Sequence, residues 1–241
     1  FSMREYVKNL LEECPDELLK AGTATTPAAN HVLNINPNAT KLDKEKAKIF
    51  HHLVAKLLYL SKRTRPDIQF PVAFLTTRVR EPDIDDWKKL GHCLCYHLKG
   101  SMELDLTLET ALLMIIRWWI DSAYGVHPDC KSHTGGAMSL GKGCPINNSR
   151  KQRINTRSST EAELVGVNDN MTMVLWTKLF LEAQGIEVTD NIIYQDNKST
   201  MLLEKNGRQS SGKKTRHFDI RYYCIHDHIK RGTVRVEYCP T

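Results

Sequence analysis

The sequence lacks any long hydrophobic stretch. Its longest apolar run, residues 111–116, is far shorter than the ~20 residues that a membrane-spanning helix needs. The chain does not open with a basic and then apolar leader, and its first residue, Phe1, is not an initiator. These absences exclude a transmembrane helix and a membrane partner. They also predict that the sequence is a piece of a longer protein.

The sequence also lacks any paired CxxC motif, and its seven cysteines are an odd number. Such a pattern disfavours a secreted disulfide framework and favours a reducing intracellular compartment, either a cytoplasmic particle or the nucleus. Zinc-like spacing does occur at His127, Cys130 and His133, with Cys144 as a further candidate ligand. Without a CxxC pair, however, the pattern favours ordinary loop and strand residues over a zinc site.

Acidic residues are missing from two basic stretches. The formal net charge is only +6, but residues 130–160 and 205–217 contain no Asp or Glu. Two such stretches in one folded half suit a polyanion, because each neutralised phosphate releases counterions. A solvated surface is the alternative for a single stretch, and the pair favours nucleic acid. On charge and position, the predicted phosphate contacts are Arg153, Arg157, Lys213, Lys214 and Arg216.

The hydrophobic period changes along the chain and predicts its organisation. Residues 1–43 predict a short helix and an extended linker, and residues 44–110 predict a mainly helical region. A third helix starts with Pro82 at its first position, and the pair Asp85–Asp86 caps its dipole rather than forming a polymerase dyad. Leucines then alternate with polar residues at 103–109, which predicts a half-buried strand.

The second half predicts an α/β domain over residues 111–241. Its pattern predicts a mixed five-stranded sheet flanked by helices, preceded by the smaller helical region. A long helix is expected from about residue 158 to 184, and Trp176 is expected in the core. The expected strands are 115–121, 133–140, 146–153, 191–195 and 234–238.

Three acids fall where such a sheet presents chemistry. Asp121 and Asp196 each end a predicted strand, and parallel neighbours would bring both to one carboxyl edge. Asp196 alone could instead cap the following helix. In the long helix, Ser158 and Glu161 have the capping-box spacing, which gives Glu161 a structural role. Glu163 lies on the packed stripe and is the predicted third acid, with Glu161 held in reserve.

A set of three carboxylates suits hard divalent cations. Mg²⁺ prefers oxygen ligands, and Mn²⁺ is the alternative ion. Two such ions roughly 3.5–4 Å apart activate a water and stabilise the leaving oxygen of a phosphodiester displacement. The acids therefore predict a metal-dependent nuclease, with the basic stretches holding the cut backbone.

Several motifs together resemble a known family. WWIDS at 118–122, HTGG at 133–136, SSTEAEL at 158–164, YQDN at 194–197 and KTRHFDIRY at 214–222 are similar to the ribonuclease H domain of copia-type LTR-retrotransposon polyproteins. Upstream, LLYLSKRTRPD at 57–67 and DWKKL at 86–90 resemble the stretch that joins the reverse-transcriptase thumb to that domain. The resemblance covers most of the chain and implies a ribonuclease H-like fold for residues 111–241, with residues 1–43 ending a thumb-like region.

The resemblance implies that the chain cuts the RNA strand of RNA–DNA hybrids during reverse transcription, with the rest of the polyprotein as a partner. It implies Asp121, Glu163 and Asp196 as metal ligands. The family's fourth carboxylate lies on a helix after residues 238–241, so the domain is expected to lack its final helix. A non-cleaving module that holds nucleic acid or a partner protein is therefore the alternative. An integrase is disfavoured, because the glutamate of an integrase follows both strand aspartates, whereas Glu163 lies between Asp121 and Asp196.

Overall fold

The structure is a computed structural model that describes residues 1–20, 22, 24–99, 101–111, 114–207 and 219–240. It divides into two compact units, residues 1–107 and 108–241. A finer division of the first unit at residue 43 stays a prediction. Across the described ranges, no helix combines the length and apolar character that crossing a membrane would require.

The first unit is helical, which confirms the mainly helical region expected before the α/β domain. Its apolar core includes Phe50, Leu57 and Leu90, all fully buried. The described elements are α1 (Arg4–Glu12), α2 (Asp16–Leu19), α3 (Lys44–Arg63), a 3₁₀ turn (Pro66–Ile68), α4 (Gln69–Thr76) and α5 (Ile84–Lys99).

Capping explains the acids at the start of α5. The Asp83 carboxylate accepts hydrogen bonds from the backbone amides of Asp85 and Asp86, at 3.0 and 2.9 Å. Asp86 accepts in turn from the Asp83 amide at 3.1 Å, and Arg78 pairs with Asp83 and Asp86. These acids therefore cap the helix, as predicted. The helix begins at Ile84, so Pro82 precedes the cap instead of opening the first turn.

The second unit combines strands and helices. Its described elements are β1 (Glu109–Thr110), β2 (Ile115–Ala123), β3 (His133–Ser139), β4 (Gly141–Lys142), β5 (Ile146–Lys151), α6 (Ser159–Ala183), β6 (Asp190–Gln195), α7 (Lys198–Asn206), α8 (Asp219–Lys230) and β7 (Arg235–Tyr238). Five strands form one mixed sheet in the order β5-β3-β2-β6-β7. The β5, β3 and β2 strands are antiparallel, whereas β6 runs parallel to both β2 and β7. This order and these directions confirm the predicted ribonuclease H-like α/β fold.

Helix α6 approaches the sheet closely through a glycine. A Cβ atom at Gly166 would lie 2.3 Å from Ser122 Oγ, closer than any real contact allows. Leu164 and Val167 on either side of this glycine are fully buried in the core of the second unit. The close approach holds the first turns of α6 against the end of β2, where the predicted acids lie.

The alternating leucines near residue 106 do not form the predicted strand. Among the described residues, only Glu109 and Thr110 are paired there, with β4. Leu104 and Leu108 are 52% and 39% exposed. The prediction is wrong because a strand needs a neighbouring backbone to complete its ladder. The Leu106 amide instead donates to the Phe1 carbonyl at 2.9 Å.

Candidate metal centre

Two parallel strands bring Asp121 and Asp196 to the same edge of the sheet. Trp119 in β2 is in register with Tyr194 in β6, and each acid lies two residues beyond its member of that pair. The two carboxylates therefore end at the same level, although they are far apart in the sequence. This is the arrangement predicted from the positions of the strand ends.

Glu163 joins them from α6. One carboxylate oxygen each from Asp121, Glu163 and Asp196 lies within 4.8 Å of the others. The Ser122 amide donates to Asp121 Oδ1 at 2.8 Å and to Glu163 Oε1 at 3.1 Å, so one backbone N–H orients both acids. Glu163 Oε2 is buried and accepts no hydrogen bond within the described part of the chain.

The surroundings of Glu163 favour its neutral form while no cation is bound. Burial raises the pKa of Glu163 to about 8, and the nearby charges of Asp121 and Asp196 act in the same direction. The hydrogen bond from the Ser122 amide opposes them. A divalent cation would satisfy the orphaned Glu163 Oε2 and offset the repulsion among the acids. Three carboxylates are the oxygen donors that Mg²⁺ and Mn²⁺ prefer, so these residues fit such an ion.

Glu161, the reserve candidate, caps the helix. Its amide donates to the Ser158 hydroxyl at 3.2 Å, and its own Oε2 accepts from the Arg157 amide at 2.6 Å. This is the reciprocal bonding of a capping box, displaced by one residue from the expected cap amide. Among the described residues, the group that could hold a metal contains Glu163 and not Glu161.

Sequence reasoning missed the polar residues that support the site. The side-chain amide of Gln152 is buried, and its Nε2 donates to Thr134 Oγ1 at 2.8 Å and to the Ala162 carbonyl at 2.9 Å. Ser122 Oγ lies 3.2 Å from Thr134 Oγ1 in the same network. These polar residues have no motif in the sequence. The close approach of α6 does have a sequence signal, since a glycine inside a helix, here Gly166, suggests a close packing contact.

Two of the predicted phosphate contacts lie near this edge of the sheet. Arg153 and Arg157 are exposed in the segment between β5 and α6, and neither has an ion-pair partner among the described residues. By contrast, Lys151 and Lys131 both face Asp129, at 2.7 and 3.8 Å. The other three predicted contacts, Lys213, Lys214 and Arg216, lie outside the described residues.

The zinc-like residues are held by hydrogen bonds. His127 Nε2 lies 3.0 Å from His133 Nδ1, and His133 Nε2 lies 2.7 Å from Ser149 Oγ. Burial lowers the pKa of His133 to about 4, with a smaller contribution from His127. Cys130 is exposed. The acid trio is the metal-holding group found in the described part of the chain, and these residues do not form a second one.

Trp176 was expected in the core, and that prediction is wrong. The side chain is 52% exposed and stacks on Phe180 with ring centroids 4.9 Å apart. The buried residues of α6 lie on its sheet-facing side and end at Thr177. Trp176 lies away from that side, so its apolar spacing did not reveal which face is covered.

Taken together, the strand order and the acidic edge define a ribonuclease H-like domain with a candidate metal centre. No protein-family model matches the chain. Its homologues are retrovirus-related Pol polyproteins of copia-type transposons, and the similarity extends over the whole chain. This confirms the resemblance indicated by the motifs.

These three relatives all come from plants. The polyprotein of transposon RE1 from Arabidopsis thaliana is 30% identical over 243 residues, covering 100% of this chain and 16% of the relative. That of transposon TNT 1-94 from Nicotiana tabacum is 25% identical over 255 residues, covering 98% of this chain and 18% of the relative. The chain thus spans less than a fifth of their length. Among solved structures, LC11-RNase H1 in complex with RNA/DNA hybrid is 9% identical with a TM-score of 0.38, covering 52% of this chain and 85% of that chain.

Proposed function

We propose that the second unit is a metal-dependent endonuclease that cuts the RNA strand of RNA–DNA hybrids during retrotransposon reverse transcription. The observation that carries the proposal is the convergence of Asp121, Glu163 and Asp196, whose ligand atoms lie within 4.8 Å of one another. Its substrate is supported by the relatives, which are retrovirus-related Pol polyproteins. The remainder of such a polyprotein is the proposed partner.

The three carboxylates would hold a pair of divalent ions, either Mg²⁺ or Mn²⁺. When bound, the ions supply a nucleophilic water and stabilise the leaving oxygen. The protein orients the ligands: the Ser122 amide fixes the carboxylates of Asp121 and Glu163 relative to each other. Arg153 and Arg157 would bind phosphates of the substrate. Hybrid would be distinguished from DNA duplex through its wide minor groove and 2′-hydroxyls.

The test is cleavage of labelled RNA–DNA hybrid, single-stranded RNA and DNA duplex, with Mg²⁺ or with EDTA. We expect the protein to cut only the RNA of the hybrid, and only with Mg²⁺. Asp121→Asn should abolish cutting while hybrid binding and the thermal unfolding midpoint remain. Asp169→Asn, which changes an α6 acid outside the cluster, is the matched control and should cut normally.

Two results would contradict the proposal. Equal cutting by Asp121→Asn would remove Asp121 from the chemistry. Hybrid binding by the parent protein without cutting, in Mg²⁺ and in Mn²⁺, would support the alternative of a non-cleaving module. The order of the acids, with Glu163 between the two strand aspartates, disfavours an integrase.

A further inference from the structure

A lysine and a tyrosine meet beside the acidic cluster. Lys198 is the first residue of α7 and lies two residues after Asp196. Tyr238 ends β7 and is in register with Gln195, the last residue of β6. The Lys198 ammonium lies 4.8 Å from the centroid of the Tyr238 ring, which is 46% exposed. Both residues are therefore at the carboxyl edge of the sheet that also presents Asp121 and Asp196.

The charge of Lys198 has no structural explanation in its helix. The amino end of a helix is its positive pole, where a cation is unfavourable. The first turn of α7 contains no acidic residue to compensate. Within the described ranges, the Lys198 ammonium forms no ion pair, and it contacts the ring of Tyr238. A cation kept exposed in this position is suited to an external anion.

The fold places this cation across the acids from the arginines. In the sheet order, β5 lies on one side of the β2–β6 pair and β7 lies on the other. Arg153 and Arg157 follow β5, whereas Lys198 and Tyr238 belong to the β6–β7 side. Helix α6, which follows the arginines, is joined to α7, which begins with Lys198. Thr200 Oγ1 in α7 donates to the carbonyl of Thr160 in α6 at 3.2 Å.

We propose that Lys198, held by the ring of Tyr238, binds a backbone phosphate of the nucleic acid strand that enters the metal centre. The strand then crosses the edge of the sheet from the β5 side to the β7 side, with cations on both sides of the acids. This inference rests on the proposed function and adds the path of its substrate. Lys198 contacts the phosphate, and Tyr238 is a positioning residue that acts through the lysine.

The experiment measures binding of a labelled RNA–DNA hybrid by fluorescence anisotropy in EDTA, over a series of KCl concentrations. EDTA separates binding from cleavage. The proteins are the parent, Lys198→Ala, Lys198→Arg, Tyr238→Ala and the control Lys230→Ala. Lys230 is also an exposed lysine, but it ends α8 and precedes β7, which places it at the opposite edge of the sheet. Thermal unfolding of each variant reports whether the fold is retained.

We expect Lys198→Ala to weaken binding about tenfold and to reduce the salt slope by about one, as the loss of one phosphate contact predicts. Lys198→Arg should restore both, because it keeps the charge. Tyr238→Ala should weaken binding less, by about threefold, since the cation remains but is no longer positioned. Lys230→Ala should behave as the parent protein does.

An unchanged salt slope in Lys198→Ala would overturn the inference. If that variant instead needs more or less Mg²⁺ for half-maximal cleavage at an unchanged salt slope, Lys198 acts on the acids and not on phosphate. Failure of the proposed function looks different, because the parent protein itself would then not cut the hybrid in Mg²⁺. Normal cutting by the parent together with unaltered binding by Lys198→Ala would reject this inference alone.

Discussion

The backbone amide of Ser122 donates a hydrogen bond to Glu163 Oε1 at 3.1 Å, across 41 positions of sequence. The same amide also donates to Asp121. A strand and a helix thus share one donor at the place where their acids converge, and the geometry of the centre depends on how closely α6 approaches β2.

The two glutamates at the start of α6 should respond differently to the same change. Glu163→Gln removes a carboxylate from the cluster and should reduce Mg²⁺-dependent cleavage by at least about a hundredfold. Glu161→Gln keeps an oxygen that can accept from the Arg157 amide, so cleavage and stability should both remain close to the parent's. Initial cleavage rates on RNA–DNA hybrid measure the first effect, and urea unfolding measures the second. The reverse result would make Glu161 the ligand.

The contact between Gly166 and Ser122 predicts a loss of stability. Gly166→Ala places a Cβ 2.3 Å from Ser122 Oγ, and overpacking of this kind costs about 1–3 kcal/mol. Gly135→Ala is the matched control, because its Cβ would meet nothing within 4 Å. Urea unfolding should therefore show a lower free energy of unfolding for the first variant only. A Gly166→Ala variant as stable as the parent would show that α6 can shift away from β2 without penalty.

Arg153 and Arg157, which have no ion-pair partner within the described part of the chain, should contribute to hybrid binding. Reversing both charges, with Arg153→Glu and Arg157→Glu together, should reduce the salt slope by about two, or about one per lost phosphate contact. Lys151→Ala is the control, since its ammonium already pairs with Asp129 at 2.7 Å. Anisotropy titrations at several salt concentrations provide the measurement. Unchanged affinity and slope in the double variant would remove both arginines from the interface.

A buried acid away from the centre predicts a dependence of stability on pH. Glu204 in α7 is fully buried, and its oxygens have no hydrogen-bond partner among the described residues. Burial raises the pKa of Glu204 from 4.5 to about 8, while Lys205 opposes the shift. The folded protein therefore holds this proton over a range of pH in which the unfolded chain releases it. The stabilisation that comes from this preference of the folded protein for protonated Glu204 is complete below pH 4.5 and is lost as the pH rises towards 8.

Glu204→Gln should remove that dependence. Relative to the parent, the free energy of unfolding of the variant should rise little at pH 5 and by on the order of 1–3 kcal/mol at pH 8, because the amide never ionises. Glu187→Gln, at an exposed position, is the control and should match the parent at both values. Urea unfolding at pH 5 and pH 8 gives the comparison. An equal effect of Glu204→Gln at both values would show that the gain is not due to ionisation.

Much of the fold was readable from the sequence because its long elements have strong periods. The predicted helix at 158–184 and the strand at 191–195 agree closely with α6 and β6. The alternation near Leu106 misled because hydropathy shows which residues would share a face, but not whether another strand is available. Trp176 misled for a related reason, since spacing on a helix does not identify the side that its neighbours cover.

The acids were predicted from their positions in the chain, but the hydrogen-bonding groups that orient and surround them were not. Asp121 and Asp196 follow strands, which is a local pattern, and Glu163 follows a capping motif. The donor that orients two of them is a backbone amide at Ser122, which no side-chain motif reveals. The buried Gln152 network likewise depends on which side chains meet after folding.

The parallel pairing of β2 with β6 has a consequence for how this chain can vary. The spacing of Asp121 and Asp196 is fixed by hydrogen bonds between strands, so the exposed turn at 184–187 serves only as a tether. Doubling the length of such a tether costs only about 0.6 kcal/mol in closure entropy. Insertions there should accumulate freely, whereas a one-residue slip of either strand would separate the acids of the candidate metal centre.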